Sequence, residues 1–185
     1  MDLAAWDEQY CNEVGTKPPL PHPLLVKATS ELRLGRALDL ACGTGRNALW
    51  LAQRGWSVTA VDGSASAIDL LRNRAAQLGV TVDTQVADLE ADGFSIAPAG
   101  YDLIAMCYYF QRNLIEPLKH GVVPGAVVIV IALLIEPGKC SPFRLQPGEL
   151  RGYFDGWEIV HDREGVDPWQ HHVAEIVARR PASGS

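Results

Sequence analysis

The ten residues DLACGTGRNA, Asp39 to Ala48, decide the fold of this chain. A short apolar run that begins at Arg36 leads into them, as in a strand, and a helix-like segment follows from Arg46 to Arg54. Glycines at a strand-to-helix turn let backbone amides approach a ligand at the helix N-terminus. The stretch therefore predicts a ligand-binding turn. A tight turn that binds nothing is the alternative, because glycines are common in such turns.

Around this turn, strand-like and helix-like segments alternate, which is typical of an α/β fold. Strands are expected at Arg36–Ala41, Trp56–Val61, Val80–Val86, Tyr101–Cys107 and Gly125–Leu134. Helices are expected at Arg46–Arg54, from an N-cap at Ser64 to Leu78, around Asn113–His120 and near Pro147–Tyr153. Trp157–His161 and His172–Arg179 follow without a helix between them, so they are expected to pair antiparallel. The pattern predicts five parallel strands and a terminal antiparallel hairpin, a seven-stranded sheet.

The length of 185 residues, 48% of them hydrophobic, predicts one domain over residues 1–185. Residues 1–30 form a polar, proline-rich lead-in, which is expected to act as an active-site lid. The apolar run Val122–Ile135 is shorter than the roughly 20 residues that cross a bilayer, so it indicates a buried strand.

The net charge of −6 argues against a nucleic-acid partner or an anionic membrane surface. The first residues lack the basic start and apolar core of a signal peptide, so a cytoplasmic protein is expected. The cysteines are Cys11, Cys42, Cys107 and Cys140. Their spacing suggests neither a metal site nor a disulfide framework. The oligomeric state stays open.

The spacing Gly43-x-Gly45-x-x-Ala48 also satisfies the looser dinucleotide fingerprint, with Asp62 near the distance expected of a ribose-binding carboxylate. Asp39, however, lies inside the strand, at a position that is apolar in most dinucleotide folds. A carboxylate there suits a ligand with an ammonium group, as in S-adenosylmethionine. Asp88, after the third strand, would accept a hydrogen bond from adenine, or it is a solvated loop carboxylate.

Several motifs resemble those of the Rossmann-like S-adenosylmethionine-dependent methyltransferases. They are DLACGTG, Val61-Asp62, Ala87-Asp88 and the YDLI of the fourth strand, over roughly residues 36–134. GRNALWLA, the block from residue 112 to 130 with its PGA, LxPGEL followed by GWEIV, and the WDEQY of the lead-in are similar to the tellurite-resistance-type branch. The resemblance implies a Rossmann-like three-layer sandwich, S-adenosylmethionine as cofactor and a small-molecule methyl acceptor. Thr44 and Ala126 depart from the usual residues of the branch.

The resemblance implies a set of cofactor-binding residues: Asp39, Ala41, Gly43, Gly45, Arg46, Asp62, Gly63, Asp88, Leu89 and Cys107. Within it, Asp39 and the two glycines of the turn would hold the methionine end, and Asp62 the ribose hydroxyls. Asp88 and Leu89 would bind the adenine, and the Cys107 carbonyl would bind the ammonium group. Arg46, at a helix N-terminus, is expected to have a compensating carboxylate from ligand or protein.

The acceptor is expected at the end of the fourth strand, where open α/β sheets bind ligands. Tyr108, Tyr109 and Phe110 follow that strand and would form an aromatic face, or else pack between sheet and helix. Tyr108 and Tyr109 are the catalytic candidates. The acceptor candidates are Trp6, Tyr10, His22, Tyr108 and Tyr109.

No histidine or carboxylate follows the fourth strand directly, so a general base is not evident. A thiol or a chalcogen oxyanion is therefore the expected acceptor, under lids formed by the lead-in and the loop from Ile135 to Gln146. The alternative is a base from elsewhere in the fold, for example His22 or His171. Two rival functions stay open: a nicotinamide-dependent oxidoreductase, and a non-catalytic protein that only binds S-adenosylmethionine.

Overall fold

The computed structural model describes residues 7–8, 10, 20–91, 93–136 and 141–182. The chain divides into two compact units, Met1–Phe94 and Ser95–Ser185, which are described in turn. No helix in the described part of the chain is both long and apolar enough for a membrane span.

The first unit has a helix inside the lead-in, which the sequence analysis did not predict. Helix α1 covers Pro23–Thr29 and buries Leu24, Leu25 and Thr29. His22 is its N-cap, since the imidazole Nδ1 accepts a hydrogen bond from the Leu24 N–H at 3.2 Å. A proline at the first helical position is a helix-start signal, because its missing N–H would have no partner there anyway.

The rest of the first unit alternates strands and helices as predicted. The order is β1 (Arg36–Leu40), α2 (Arg46–Gln53), β2 (Ser57–Asp62), α3 (Ala65–Leu78) and β3 (Asp83–Val86). β2 pairs in parallel with both β1 and β3, with Asp39 opposite Ala60 and Val61 opposite Gln85. The Ser64 hydroxyl caps α3 by accepting from the Ala67 N–H at 3.0 Å, as its sequence position predicted.

The second unit is centred on two buried parallel strands. β4 covers Tyr101–Cys107, with the predicted bounds, and pairs in parallel with β5 (Val122–Leu133). Between them lie a 3-10 turn, Arg112–Leu114, and helix α4 (Ile115–Gly121). β5 is buried from residue 126 to residue 132, which confirms a strand covered on both faces.

The chain ends in the predicted antiparallel hairpin, but its first strand is longer than expected. After the short helix α5 (Glu149–Gly152), strand β6 covers Glu158–Val166 and pairs with β7 (His172–Arg179). The sequence reading ended this strand at His161 because charged residues follow. In the structure, Arg163 continues the strand and binds Glu175 across the hairpin at 2.9 Å. The connection shrinks to the turn of residues 167–171.

All seven strands form one sheet in the order β3-β2-β1-β4-β5-β7-β6. The parallel pairs β1–β2, β2–β3 and β4–β5 and the antiparallel pairs β5–β7 and β6–β7 make it a mixed sheet. The predicted α/β architecture with a C-terminal antiparallel hairpin is confirmed.

Candidate functional site

The turn between β1 and α2 is built from left-handed backbone. Ala41, Gly43 and Gly45 have φ angles of 51°, 53° and 87°. At Gly45, an added Cβ would lie 2.5 Å from Cγ of Leu71 on α3, so only glycine fits without a shift of the helix. The turn therefore keeps its backbone bare at the N-terminus of α2.

Asp39 on β1 is a buried carboxylate with an unused oxygen. Its side chain is 1% exposed, and its Oδ2 has no hydrogen-bond partner among the described residues. Burial raises the pKa of Asp39 to about 7, against the lowering effects of a hydrogen bond from the Ala48 backbone and of the Arg46 charge. Burying a carboxylate oxygen without a hydrogen-bond donor or a cation beside it destabilises the folded protein. The Asp39 carboxylate fits the ammonium group of S-adenosylmethionine.

Asp62, at the end of β2, holds the glycine turn. Its Oδ2 accepts from the Gly43 N–H at 2.7 Å, and its Oδ1 accepts from the Ser64 N–H at 2.9 Å. Burial raises its pKa, although these backbone hydrogen bonds act in the opposite direction. The Gly63 N–H also hydrogen-bonds this carboxylate, so three of its roughly four acceptor positions are used and one is left for a ribose hydroxyl. The sequence did not predict the hydrogen bond to the turn, and the contact with the ribose stays a prediction.

The lead-in contacts the start of α3 through Asp7 and approaches the glycine turn through Tyr10. The Asp7 carboxylate accepts from the Ser64 hydroxyl at 2.5 Å and from the Ser66 N–H at 3.0 Å. The hydrogen bond from Ser64 lowers the pKa of Asp7. The Tyr10 hydroxyl lies 3.0 Å from the point where a Cβ on Gly43 would stand. The lid role stays a prediction, and Trp6 lies outside the described residues.

The residues expected at the adenine follow β3. Asp88 is exposed, and its Oδ1 accepts from the Glu90 N–H at 2.9 Å. Leu89 is buried beside it. Gly63, between Asp62 and the Ser64 cap, is partly exposed. Their roles toward a cofactor stay predictions.

His22 has a structural position. It is 2% exposed, its backbone N–H donates to Asn47 Oδ1 at 3.0 Å, and its ring caps α1. This geometry favours the structural alternative for His22 over an acceptor-binding role.

In the second unit, the chain leaves β4 through a strained residue. Cys107 ends the strand and is buried, and Tyr108 follows with a φ of 62°. The Tyr108 N–H continues the strand ladder by donating to the Ile131 carbonyl at 2.7 Å. Its hydroxyl donates to Asp167 Oδ2 at 2.5 Å. For a bulky residue, a left-handed backbone signals a turn or stored strain.

Tyr108 belongs to a cluster that the sequence did not reveal, which we call the Asp167 cluster: Tyr108, Asp167, Trp169 and His171. The ring centroids of Trp169 and His171 lie 6.3 and 5.6 Å from that of Tyr108. No histidine or carboxylate follows the fourth strand directly, but the structure brings His171, the predicted alternative for the base, and Asp167 beside Tyr108. Both come from the turn between β6 and β7, which the register places beside the end of β5, with Leu133 opposite Val173.

The other two aromatic residues after β4 differ in position. Phe110 is fully buried. This burial agrees with the alternative for that residue, in which it packs between the sheet and a helix and forms no part of an aromatic face. The Tyr109 hydroxyl donates to Gln111 Oε1 at 2.5 Å, and its ring lies 6.2 Å from that of Phe143. Phe143 belongs to the loop after β5 that was expected to act as a lid.

Arg112 holds that loop in place through hydrogen bonds to its backbone. The guanidinium binds both carboxylate oxygens of Glu149, at 2.7 and 2.9 Å, and donates to the carbonyls of Pro142 and Arg144 at 2.6 and 3.1 Å. The pKa of Arg112 is raised, chiefly by its hydrogen bond to Glu149. Arginine suits this position because its planar fork binds a carboxylate and carbonyls together.

The mixed sheet, the glycine turn and the buried Asp39 define the class as Rossmann-like S-adenosylmethionine-dependent methyltransferases. A family model described as "Tellurite resistance protein TehB" matches residues 7–176. The chain belongs to this TehB family, so the resemblance seen in the sequence is confirmed, and S-adenosylmethionine is the cofactor of the family.

The chain is 27% identical over 156 residues to the "Probable S-adenosyl-L-methionine-dependent methyltransferase TehB" of Haemophilus influenzae, covering 78% of this chain and 54% of that protein. It is 34% identical to the 2-heptyl-1-hydroxyquinolin-4(1H)-one methyltransferase of Mycobacteroides abscessus, covering 81% of this chain and 72% of that one. The crystal structure of TehB from Haemophilus influenzae has the same fold, with a TM-score of 0.75, 23% identity, and coverage of 86% and 62%. The chain spans about half the length of the first curated relatives it matches.

Proposed function

We propose that this protein transfers the methyl group of S-adenosylmethionine to a small-molecule acceptor. The observation that carries the proposal is the buried Asp39 carboxylate, whose Oδ2 has no partner among the described residues, beside a bare glycine turn. A nicotinamide dinucleotide brings phosphates to such a turn, and a buried anion would repel them. An ammonium group is attracted instead.

The residues of the first unit have distinct tasks in this proposal. Asp39 pairs with the ammonium group, and the glycine turn admits the methionine portion. Asp62 keeps the turn in shape and accepts from the ribose, while Asp88 accepts from the adenine amino group and the Leu89 amide binds a ring nitrogen. The bound cofactor supplies an electrophilic methyl group, so the protein's contribution is to align an acceptor and exclude water.

The acceptor that we propose is a small nucleophile, with a thiol or a chalcogen oxyanion as the first class. The family description, tellurite resistance, supports this class. A net charge of −6 argues against a nucleic-acid acceptor. Cys42 and Cys107 are buried and form no disulfide, in keeping with a reducing, cytoplasmic compartment.

An acidic hydroxyl is a second candidate class. The Asp167 cluster places a histidine and a carboxylate beside Tyr108, and such a pair suits an acceptor that must lose a proton. One relative is named as a methyltransferase of 2-heptyl-1-hydroxyquinolin-4(1H)-one, which is a heteroaromatic compound with a hydroxyl group. This name supports the second candidate class.

The test begins with binding. We expect S-adenosylmethionine and S-adenosylhomocysteine to raise the melting temperature of the protein, and NAD and NADP to leave it unchanged, because only a ligand of the folded state stabilises it. Asp39→Asn should lose most of that shift. Stabilisation by a dinucleotide alone would overturn the proposal. Methyl transfer from labelled cofactor to thiols, selenite, tellurite, phenols and small carboxylates then identifies the acceptor, and binding without transfer to any of them favours the non-catalytic alternative.

A further inference from the structure

We infer that Asp167 positions His171 and Tyr108 as one unit at the end of β4, and that His171 accepts the proton that a neutral methyl acceptor loses. The inference rests on the proposed methyl transfer and narrows its acceptor to a protic group, a thiol or an acidic hydroxyl.

The buried Asp167 carboxylate has hydrogen-bond partners on both of its oxygens. Its side chain is 0% exposed. Oδ1 accepts from the backbone N–H groups of Trp169 and His171, both at 2.8 Å. Oδ2 faces the Tyr108 hydroxyl at 2.5 Å and His171 Nδ1 at 3.2 Å. Burial would raise the pKa of Asp167, but the hydrogen bonds from Tyr108 and His171 outweigh it and hold that pKa below its usual value. Asp167 is therefore a carboxylate at neutral pH.

The contact with Asp167 selects one tautomer of His171. A carboxylate only accepts hydrogen bonds, so the imidazole must carry its proton on Nδ1 where it meets Asp167. In a neutral imidazole this leaves the lone pair on Nε2. The His171 side chain is 52% exposed, so it is accessible to a small molecule. A buried carboxylate that orients an accessible histidine in one tautomer is the arrangement of an oriented general base.

The hydrogen bond from Tyr108 to Asp167 argues against Tyr108 as the base. Its hydroxyl donates to Asp167, so its proton is held on the oxygen by a neighbouring anion. Its ring lies against the His171 ring with an interplanar angle of 66°. Tyr108 is thus a positioning residue that fixes one side of the imidazole. The left-handed backbone at Tyr108, with a φ of 62°, is strained for a bulky residue.

The proton and electron balance follows from these positions. As the acceptor heteroatom forms its bond to the methyl carbon, its proton passes to His171 Nε2. The electron pair of the broken carbon–sulfur bond stays on sulfur, which becomes a neutral thioether. The imidazolium, paired with Asp167, then releases the proton to water.

Arg163 on β6 is a charged group that also interacts with Asp167. The pKa of Arg163 is raised chiefly by its hydrogen bond to Glu175 and, to a smaller extent, by the charge of Asp167.

The spectroscopic test does not need an acceptor. In the ligand-free protein, nitrogen NMR at pH 8 should show His171 with Nδ1 protonated and Nε2 unprotonated, because Asp167 selects this tautomer. Asp167→Asn should abolish that preference, and Tyr108→Phe should keep it. A wild-type His171 protonated on Nε2, or one that Asp167→Asn does not change, would overturn the inference.

The kinetic test uses a protic acceptor from the panel, with His172→Gln as the matched control, since His172 is the adjacent exposed histidine of the same hairpin. At pH 7, we expect His171→Gln to lower kcat/KM for a neutral phenol or thiol by about 100-fold or more. The loss should shrink as the pH rises above the acceptor's own pKa, since the anion needs no base. Asp167→Asn should give a smaller loss with a displaced pH profile.

The cofactor affinity separates the two possible failures. If wild-type protein does not bind S-adenosylhomocysteine, the proposed function fails, whatever the tautomer of His171. If it binds and transfers methyl groups, but His171→Gln loses no more activity than His172→Gln, only the inference fails. Turnover restricted to tellurite or selenite oxyanions would also overturn it, since methylation at the lone pair of the chalcogen needs no base to remove a proton.

Discussion

The carboxylate of Asp62 accepts a hydrogen bond from the backbone N–H of Gly43 at 2.7 Å, so the last residue of β2 holds the turn that follows β1. The bond joins positions 19 residues apart in the sequence. It gives one carboxylate two tasks, the shape of the turn and the proposed contact with the ribose.

We expect Asp62→Ala to reduce both stability and cofactor affinity. Removing the carboxylate leaves the Gly43 and Ser64 N–H groups without their acceptor, which costs about 1–3 kcal/mol. Cofactor affinity should fall about tenfold or more, because a charged acceptor for the ribose is lost. Urea denaturation and calorimetry measure the two effects. Asp88→Ala is the matched control: it should weaken binding with little change in stability. Unchanged affinity in a folded Asp62→Ala protein would remove Asp62 from the ribose site.

Cofactor binding should depend on the protonation of Asp39. With its pKa near 7, the carboxyl of the ligand-free protein binds a proton below that pH, and pairing with an ammonium group requires its release. Affinity should therefore fall as the pH drops from 7 to 5.5, approaching about tenfold per pH unit. Calorimetry in buffers of different ionisation enthalpy would detect the released proton. An affinity that is constant over this range would argue against the contact.

The same residue should influence stability in the opposite direction. The folded-state pKa of Asp39, about 7, lies above its ordinary value of 3.8, so the folded protein holds the extra proton between these pH values. Its contribution to the free energy of unfolding therefore decreases as the pH rises through this window. We expect ligand-free Asp39→Asn to melt at a higher temperature than wild type at pH 8, with the difference absent near pH 4. A lower melting temperature at pH 8 would contradict this.

Gly45 and Gly79 allow strain and crowding to be separated. Both have left-handed φ angles, but an added Cβ meets Leu71 at Gly45 and no atom within 4 Å at Gly79. Gly79→Ala should cost about 1–2 kcal/mol for the backbone alone. Gly45→Ala adds overpacking, so we expect a total of about 2–4 kcal/mol. Equal losses in urea denaturation would show that the contact with Leu71 relaxes freely.

Arg112→Lys tests whether the loop that carries Phe143 contributes to acceptor binding. Lysine keeps the charge but cannot bind Glu149 and the carbonyls of Pro142 and Arg144 together. The KM for the acceptor should rise about tenfold, with cofactor affinity unchanged. Arg151→Lys, at an exposed ion pair on α5, is the control and should behave as wild type. A parallel rise in the cofactor Kd would indicate a general loss of structure instead.

Much of the fold is predictable from local patterns. β4 and β7 were predicted with their observed bounds, because each is a single apolar run between clear breaks. The start of β3 and the end of β6 were not predicted. β3 begins at Asp83 rather than Val80, and β6 continues through charged residues that pair across the hairpin. Helix α1 was missed although Pro23 is a recognisable start signal.

The glycine turn and the Asp167 cluster differ in predictability. Asp39, Gly43, Gly45 and Asp62 form local motifs, so the chain order alone revealed them. The hydrogen bond between Tyr108 and Asp167 spans 59 positions and depends on the register of the terminal hairpin, which no local pattern specifies. The residues that follow β4 in the sequence therefore do not indicate that His171 and Asp167 are neighbours of Tyr108.

The left-handed backbone of Tyr108 has a consequence for directed evolution of this protein. Glycine or asparagine would adopt a φ of 62° with less strain, so a selection for heat tolerance alone would favour replacing the tyrosine. Such variants would lose the hydroxyl that Asp167 holds and the ring that lies against His171. Thermostable variants selected without a turnover assay would therefore be enriched in changes at position 108 that disrupt the Asp167 cluster.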